Sequence, residues 1–283
     1  MRSEQIFSLS EIRSRLEKQD FPFSGITELG SAYFEFRRPA FYAGIAIHAG
    51  DRVRDEILKC MAVSQEDRYR EEDPHTERFI KDFPIRIIGR DSRFEYDINR
   101  NKDTAVYQTP EMAWGLEVLN TPLTDEAIRR TLEKYDEFHA LMDILVEYLC
   151  GQHEHGVIFD CHSYNYQREE RRPWYEDEKP VINVGTGPVN REKFALMIDD
   201  LMNRLSGISV ENRPVYVGEN VVFKGGNLSQ RLSKARYDTL LVLAIEFKKV
   251  FMDEHSGELY AGVLEELAEQ FSKAAMACLG VRN

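Results

Sequence analysis

Four short stretches of the chain end with side chains that can bind a metal ion or transfer protons. They are His48 with Asp51 in IHAGD, residues 97–100 (DINR), residues 160–163 (DCHS), and Glu246 in AIEF. In an open α/β sheet, ligands bind where the strands end at their carboxyl edge. His48 and His162 with one carboxylate would supply two nitrogens and one oxygen, a usual ligand set for catalytic zinc with one position left open. The pattern predicts a metal site, and one tight turn could direct both His48 and Asp51 at the same ion.

Each of these residues also has a structural explanation. A single histidine at a strand end is more often hydrogen-bonded than metal-bound, and Asp160 could hold His162 in that way. Glu246 follows the apolar run LLVLAI, where burying a carboxylate costs several kcal/mol unless it is paired or used. It is either an ion-pair partner for an arginine such as Arg100 or a general base. Two histidines at strand ends, together with further polar strand ends, favour the metal site.

Other short motifs carry less information. HEH at 153–155 lies at a helix end without the HExxH spacing of zinc proteases, which is typical of a surface tract. GTG at 185–187 and KGG at 224–226 are too short for a nucleotide-binding loop. Ser163 has no G-x-S-x-G environment, so nucleophilic catalysis by serine is not indicated.

The elements that would position these residues alternate between strands and helices. The pattern predicts buried strands at FYAGIAIHA and HGVIFDCHS, an edge strand at AYFEFRR, a further strand at RFEYDINR, and a long helix from 124 to 150. We therefore expect an α/β fold with a mixed, largely parallel sheet and helices on both faces. No linker or repeat divides the chain, so one domain over 1–283 is expected, with a loop insertion around 164–180.

Composition narrows the class of protein. The chain has 283 residues, of which 42% are hydrophobic and 30% are charged, and its formal net charge is −12. This charge argues against nucleic-acid and anionic-membrane partners. No apolar run approaches the length of a membrane span, and the first residues are too polar for a signal peptide. The four cysteines form no CxxC pair. A cytoplasmic protein with free thiols is expected.

The motifs IHAGD, YDINR, FDCHS, FKGG and AIEFKKVFMDE occur in the order found in a known family. On these motifs, which span about residues 40–254, the chain resembles the N-formylglutamate amidohydrolase family of the zinc carboxypeptidase-like fold group. The resemblance implies a zinc ion held by His48, Asp51 and His162, with Asp55 or Glu56 as the acid if Asp51 is not. It also implies that Glu246 is the catalytic base for hydrolysis of an amide by metal-activated water.

The resemblance further implies a substrate with a free carboxylate, held by Asn99 and Arg100. Arg54, or its neighbour Arg52, is expected to contact the substrate as well, at the oxyanion. The segments after DCHS and after FKGG depart from the family pattern, and in the family these segments shape the substrate pocket. A metallocarboxypeptidase-like enzyme acting on a larger peptide and a catalytically degenerate binding protein therefore stay open as alternatives.

Overall fold

In a computed structural model that describes residues 4–167 and 171–281, nine strands form one sheet and two others form a small separate one. In chain order the strands are β1 (Ile6–Phe7), β2 (Phe23–Thr27), β3 (Ala32–Phe36), β4 (Tyr42–Ala46), β5 (Ile85–Gly89), β6 (Gly156–Tyr164), β7 (Ile182–Gly185), β8 (Ser209–Val210), β9 (Arg213–Pro214), β10 (Val217–Glu219) and β11 (Leu240–Lys248). The main sheet has the order β1-β2-β3-β5-β4-β6-β11-β7-β10.

Parallel pairing dominates the main sheet. Five neighbouring strand pairs are parallel, and three are antiparallel: β2 with β3, β3 with β5, and β7 with β11. The central strands β4 and β6 are buried throughout, and β11 is buried except at Glu246. Strands buried on both faces read as continuous apolar runs, which is why these three were recognisable in the sequence. The predicted mixed, largely parallel sheet is confirmed.

Seven α-helices accompany the sheet in the described part of the chain. They are α1 (Leu9–Glu17), α2 (Asp55–Leu58), α3 (Gln65–Glu71), α4 (Asp125–Gln152), α5 (Ala195–Leu205), α6 (Asn227–Ala235) and α7 (Ala261–Cys278). The longest, α4, begins after Thr124, whose hydroxyl accepts a hydrogen bond from the Ala127 N–H, as expected for a helix N-cap. None of the helices described is both long and apolar enough to cross a membrane.

Helices cover both faces of the sheet. On one face, Phe271 of α7 packs against Phe159 of β6 and Phe247 of β11, with ring centroids 6.1 and 5.1 Å apart. Successive side chains of a strand point to opposite faces, so Asp160, His162 and Glu246 project from the other face. There α6 packs on β11 and is joined to α4 by an ion pair between Arg231 and Asp143.

The structure differs from the sequence-based prediction at three segments. AYFEF is β3, which pairs with a strand on each side and is not an edge. The predicted strand RFEYDINR is a series of turns, because Ser92 and Asp97 accept hydrogen bonds from the N–H groups of Phe94 and Asn99 and so compete with strand pairing. The sequence NLSQRL, for which no helix was predicted, begins α6.

The predicted loop insertion at 164–180 is only partly described, since residues 168–170 lie outside the described residues. Tyr164 still belongs to β6, and Trp174–Glu176 forms a short 3₁₀ helix. The buried Lys248 of β11 pairs with Asp177 at 2.8 Å. This ion pair attaches the second half of the segment to the sheet.

Candidate metal centre and its pocket

Three buried side chains meet beside the central strands: His48, Asp73 and His162. One ligand atom from each lies within 4.8 Å of the other two. The Oδ2 atom of Asp73 is 3.3 Å from Nδ1 of His48 and 3.1 Å from Nδ1 of His162. Ligands about 2.0 Å from a tetrahedral ion are roughly 3.3 Å apart. The spacing therefore fits a single divalent cation.

Three segments bring these side chains together. His162 lies on β6, and His48 follows the end of β4, which pairs with β6 in parallel. Asp73 comes from the loop after α3, and its backbone N–H donates to the carbonyl of His48 at 3.1 Å. This hydrogen bond folds the loop over the end of β4, so a carboxylate distant in the sequence reaches the two imidazoles.

Each of the two imidazoles has its own buried carboxylate partner at its other ring nitrogen. Oδ1 of Asp97 is 2.8 Å from Nε2 of His48, and Oδ1 of Asp160 is 2.9 Å from Nε2 of His162. Carboxylates placed in this way hold the ring proton on Nε2 and direct the other nitrogen at a metal. Nδ1 of His48 is buried and makes no hydrogen bond within the described ranges. The donor set therefore fits a metal ion.

The charges in this cluster support cation binding. Burial by itself would raise the pKa of Asp73, but the adjacent imidazoles of His162 and His48 outweigh it and lower this pKa below its ordinary value. Burial would lower the pKa of His162, whereas the carboxylates of Asp160 and Asp73 raise it well above the ordinary value. A proton on His162 and a metal ion would compete for the same position, so metal binding is expected to release a proton.

Asp97 joins the metal cluster to the pocket wall. Besides His48, it accepts hydrogen bonds from Nη2 of Arg93 at 2.9 Å, from the hydroxyl of Tyr107, and from the N–H of Asn99 at 2.8 Å. Burial opposes the ionisation of Asp97, but Arg93 and His48 lower its pKa well below the ordinary value. One carboxylate thus orients His48 and fixes Arg93 in the same region.

Glu246 stands beside the metal cluster in a row of three side chains. In the sheet register it lies opposite His162 of β6 and opposite Asn183 of β7, so all three project from one face. Within the described residues its carboxylate makes no hydrogen bond or ion pair. Burial raises the pKa of Glu246 to about 8, against the opposing effect of His162. A carboxyl group with a pKa near neutrality is suited to accept and return a proton.

A pocket of about 340 Å³ opens on this face of the sheet. The metal cluster and Glu246 lie in its wall, together with polar, aromatic and cationic side chains. The complete lining is His48, Glu71, Asp73, Arg93, Asn99, Trp114, His162, Ser163, Tyr164, Asn165, Lys179, Val222, Phe223, Lys224, Gly225, Gly226, Glu246 and Lys249. The volume lies in the range of small-molecule sites.

The acid that lies with the two histidines is Asp73 and not the predicted Asp51. Asp51 is exposed and does not line the pocket, and the alternatives Asp55 and Glu56 lie on α2, also outside it. The reason is local. Gly50 packs closely on another segment, since a Cβ atom at this position would lie 2.2 Å from the backbone of Arg90. The residues after Gly50 then run beside residues 90–92 and are joined to them by backbone hydrogen bonds. This path carries Asp51 away from His48.

The predicted substrate contacts are only partly brought to the pocket. Asn99 lines it, although its Oδ1 already accepts from the N–H of Leu228 at 2.9 Å. Arg100 does not line the pocket, because it donates to the carbonyl of Met112 and stacks over Tyr107. Arg54 is also outside, and its guanidinium forms an ion pair at 2.6 Å with a buried glutamate, Glu95.

Sequence reasoning missed Asp73 and Arg93. Asp73 follows the acidic helix α3 and no apolar strand precedes it, so the search for strand ends did not select it. Arg93 lies in the segment predicted as a strand, yet its guanidinium reaches the pocket and faces the ring of Trp114 at 4.9 Å. The one available signal was the grouping of charged residues around each of them.

Comparisons with known proteins place the chain in a family. A family model described as N-formylglutamate amidohydrolase matches residues 45–252, whereas no curated protein matches the chain. The fold is similar to the N-formylglutamate amidohydrolase from Ralstonia eutropha JMP134, with a TM-score of 0.65 and 14% identity over 88% of this chain and 98% of that one. It is also similar to the gene product Atu2144 from Agrobacterium tumefaciens, with a TM-score of 0.59 and 17% identity over 83% of this chain and 90% of that one. The match to the family model covers most of the sequence, and the chain belongs to the N-formylglutamate amidohydrolase family.

Proposed function

We propose that this protein is a zinc-dependent hydrolase that cleaves the amide bond of an N-acyl amino acid of the N-formylglutamate type. The observation that carries the proposal is the convergence of Nδ1 of His48, Nδ1 of His162 and Oδ2 of Asp73. Beside them lies the carboxylate of Glu246, which has no ion-pair partner among the described residues. Two nitrogens and one oxygen form a usual protein ligand set of catalytic zinc. Membership of an amidohydrolase family supports the class of bond.

His48, Asp73 and His162 would hold the ion. A bound Zn²⁺ supplies Lewis acidity, which polarises the amide carbonyl and makes water available as a nucleophile at neutral pH. Asp97 and Asp160 keep the two imidazoles in the orientation and tautomer that metal binding requires.

Glu246 would act as both general base and general acid. Its carboxylate accepts a proton from the attacking water and returns it to the nitrogen of the leaving amine. The absence of a hydrogen-bond partner among the described residues leaves both oxygens available, and the raised pKa favours return of the proton.

Arg93 is the cation best placed to stabilise the oxyanion. It lines the pocket, whereas Arg52 and Arg54 do not. Asp97 and the carbonyl of Glu71 hold its two terminal nitrogens, so the guanidinium is already oriented before substrate binds. Oriented donors of this kind stabilise charge that develops in the transition state.

The proposal is tested by screening the zinc-loaded full chain against N-acyl amino acids and short peptides. We expect release of formate from N-formyl-L-glutamate, with stoichiometric zinc in the protein. Hydrolysis of peptides without hydrolysis of N-formyl-L-glutamate would indicate a metallocarboxypeptidase-like enzyme. A protein that binds no zinc and turns over no compound would instead be a degenerate binding protein.

A further inference from the structure

Two of the four cationic residues that line the pocket have no partner for their charge in the described part of the chain. Arg93 is paired with Asp97, and Lys249 is buried with its Nζ donating to the carbonyls of Arg70 and Glu72. Lys179 and Lys224 are exposed, and neither Nζ forms a hydrogen bond or ion pair with a described residue. These two ammonium groups are therefore available to a ligand.

Tyr164 brings the two lysines to the same part of the pocket although they come from different loops. Its hydroxyl donates to the carbonyl of Pro180, the neighbour of Lys179. Its ring packs edge-on against Phe223, the neighbour of Lys224, with centroids 5.6 Å apart. Tyr164 follows His162 by two residues on β6 and projects from the same face, roughly 6–7 Å farther along the strand.

The loop that carries Lys224 has a firmly held backbone. The buried Asn183 accepts hydrogen bonds from the N–H groups of Val221 and Val222 at 3.0 and 2.9 Å, and donates to the carbonyl of Phe223 at 2.8 Å. The carbonyl of Lys224 accepts from the N–H of a glycine in the GTG turn at 2.8 Å. The loop is therefore ordered before a ligand binds, which reduces the entropy cost of binding.

The acidic side chains that line the pocket, Glu71, Asp73 and Glu246, lie at the metal cluster, where a bound metal ion would offset their charge. The first turn of α6 follows Gly225 and Gly226 in the pocket wall, and the N-terminal end of a helix adds partial positive charge near Lys224. The helix end and the two ammonium groups therefore act together to stabilise an anionic group of the ligand.

We propose that Lys179 and Lys224 form the carboxylate-binding end of the pocket, so that the preferred ligands are N-acyl amino acids that carry a side-chain carboxylate. The inference deepens the proposed function and rests on it for the identity of the substrate. It replaces Arg100, which the structure places outside the pocket, with two lysines. Lys179 lies in the segment after DCHS, which departs from the family pattern, whereas Lys224 belongs to the FKGG motif.

The test compares wild type with the double variant Lys179→Met/Lys224→Met on three compounds. They are N-formyl-L-glutamate, N-formyl-L-glutamine and the diamide of N-formyl-L-glutamate, in which both carboxylates are replaced by uncharged amides. Loss of charge-assisted hydrogen bonds is expected to raise KM for N-formyl-L-glutamate about 10- to 100-fold, with kcat and zinc content nearly unchanged. KM for the diamide should not change, and the conservative Lys179→Arg/Lys224→Arg variant should recover most of the loss. Lys59→Met removes an exposed charge outside the pocket and serves as the matched control.

Direct binding separates this inference from the proposed function. Isothermal titration calorimetry with N-formyl-L-glutamate is carried out in the Glu246→Gln background, in which turnover is blocked, and should show binding at least about 10-fold tighter with both lysines present than with both replaced by methionine. Lysine-dependent binding without turnover would contradict the proposed function and uphold the carboxylate site. Turnover with equal KM in wild type and double variant, or an equal loss on the diamide, would overturn the carboxylate site alone.

Discussion

The two faces of strands β6 and β11 use the same backbone for opposite purposes. One face carries Asp160, His162 and Glu246, of which His162 and Glu246 line the polar pocket. The other presents Phe159 and Phe247, which are fully buried against aromatic rings of neighbouring helices and loops. Because side chains alternate along a strand, each pair of adjacent residues contributes one group to each face.

The difference shows how the fold separates stability from chemistry. The aromatic face consists of apolar contacts, such as the stacking of Phe79 on Phe247 with centroids 3.6 Å apart. The polar face holds buried carboxylates, among them Glu246, which has no ion-pair partner in the described part of the chain. Such groups cost free energy unless a cation or substrate interacts with them. A rigid aromatic layer therefore supports a face whose residues are arranged for function. Substitutions on the two faces should change different measured quantities.

The largest effect is expected on the polar face for Glu246→Gln. The amide cannot accept the proton of the attacking water, so kcat should fall about 10²- to 10⁴-fold. Zinc content and the unfolding midpoint should stay close to wild type, because Glu246 is not a ligand and holds no partner within the described residues. Steady-state kinetics and metal analysis on the same sample provide the check. Glu154→Gln, at an exposed position, is the control, and amidase activity near the wild-type level in Glu246→Gln would remove this residue from the mechanism.

On the aromatic face, Phe271→Ala should lower the free energy of unfolding by about 3–5 kcal/mol, because it leaves a cavity between Phe159 and Phe247. Urea unfolding of the zinc-loaded protein measures this loss. The kcat of the folded fraction should remain that of wild type, and Phe271→Leu should be destabilised less. A loss of kcat without a loss of stability would contradict the separation of the two faces.

A smaller effect is expected behind the metal cluster. Asp160→Asn keeps the shape of the side chain but removes the negative charge at Nε2 of His162, and zinc affinity should fall about 10- to 100-fold. Competition with a chromophoric chelator measures it. Asp82→Asn, an exposed change, should leave the affinity unaltered, and an unchanged affinity in Asp160→Asn would mean that this carboxylate does not support His162.

Much of this comparison could be predicted from the sequence, since it depends on local patterns. An apolar run interrupted by a polar residue identified His48, His162 and Glu246, because burial of such residues is costly and therefore informative. The central strands and the helix α4 followed from their hydrophobic periodicity. These features depend on residues that are neighbours in the chain.

The third acid and the substrate contacts depend on tertiary structure and could not be predicted in this way. Asp73 reaches the histidines through a loop that folds over β4, and Asp51 is drawn away because Gly50 packs on the backbone of Arg90. Arg100 was expected in the pocket, yet local hydrogen bonding turns its segment, so that Arg93 lines the pocket and Arg100 does not. Spacing along the chain favoured the nearer acid, whereas the path of the backbone determined which acid lies at the site.

The measurement that tests the account most directly is zinc affinity in two aspartate variants, Asp73→Asn and Asp51→Asn, determined by chelator competition with the full chain. The account predicts that Asp73→Asn weakens zinc binding by more than about 100-fold, which exceeds the loss expected when a carboxylate that only orients a ligand is removed. The zinc affinity of Asp51→Asn should stay within about 2-fold of wild type, as expected of an exposed substitution. Loss of zinc in Asp51→Asn with wild-type affinity in Asp73→Asn would contradict it.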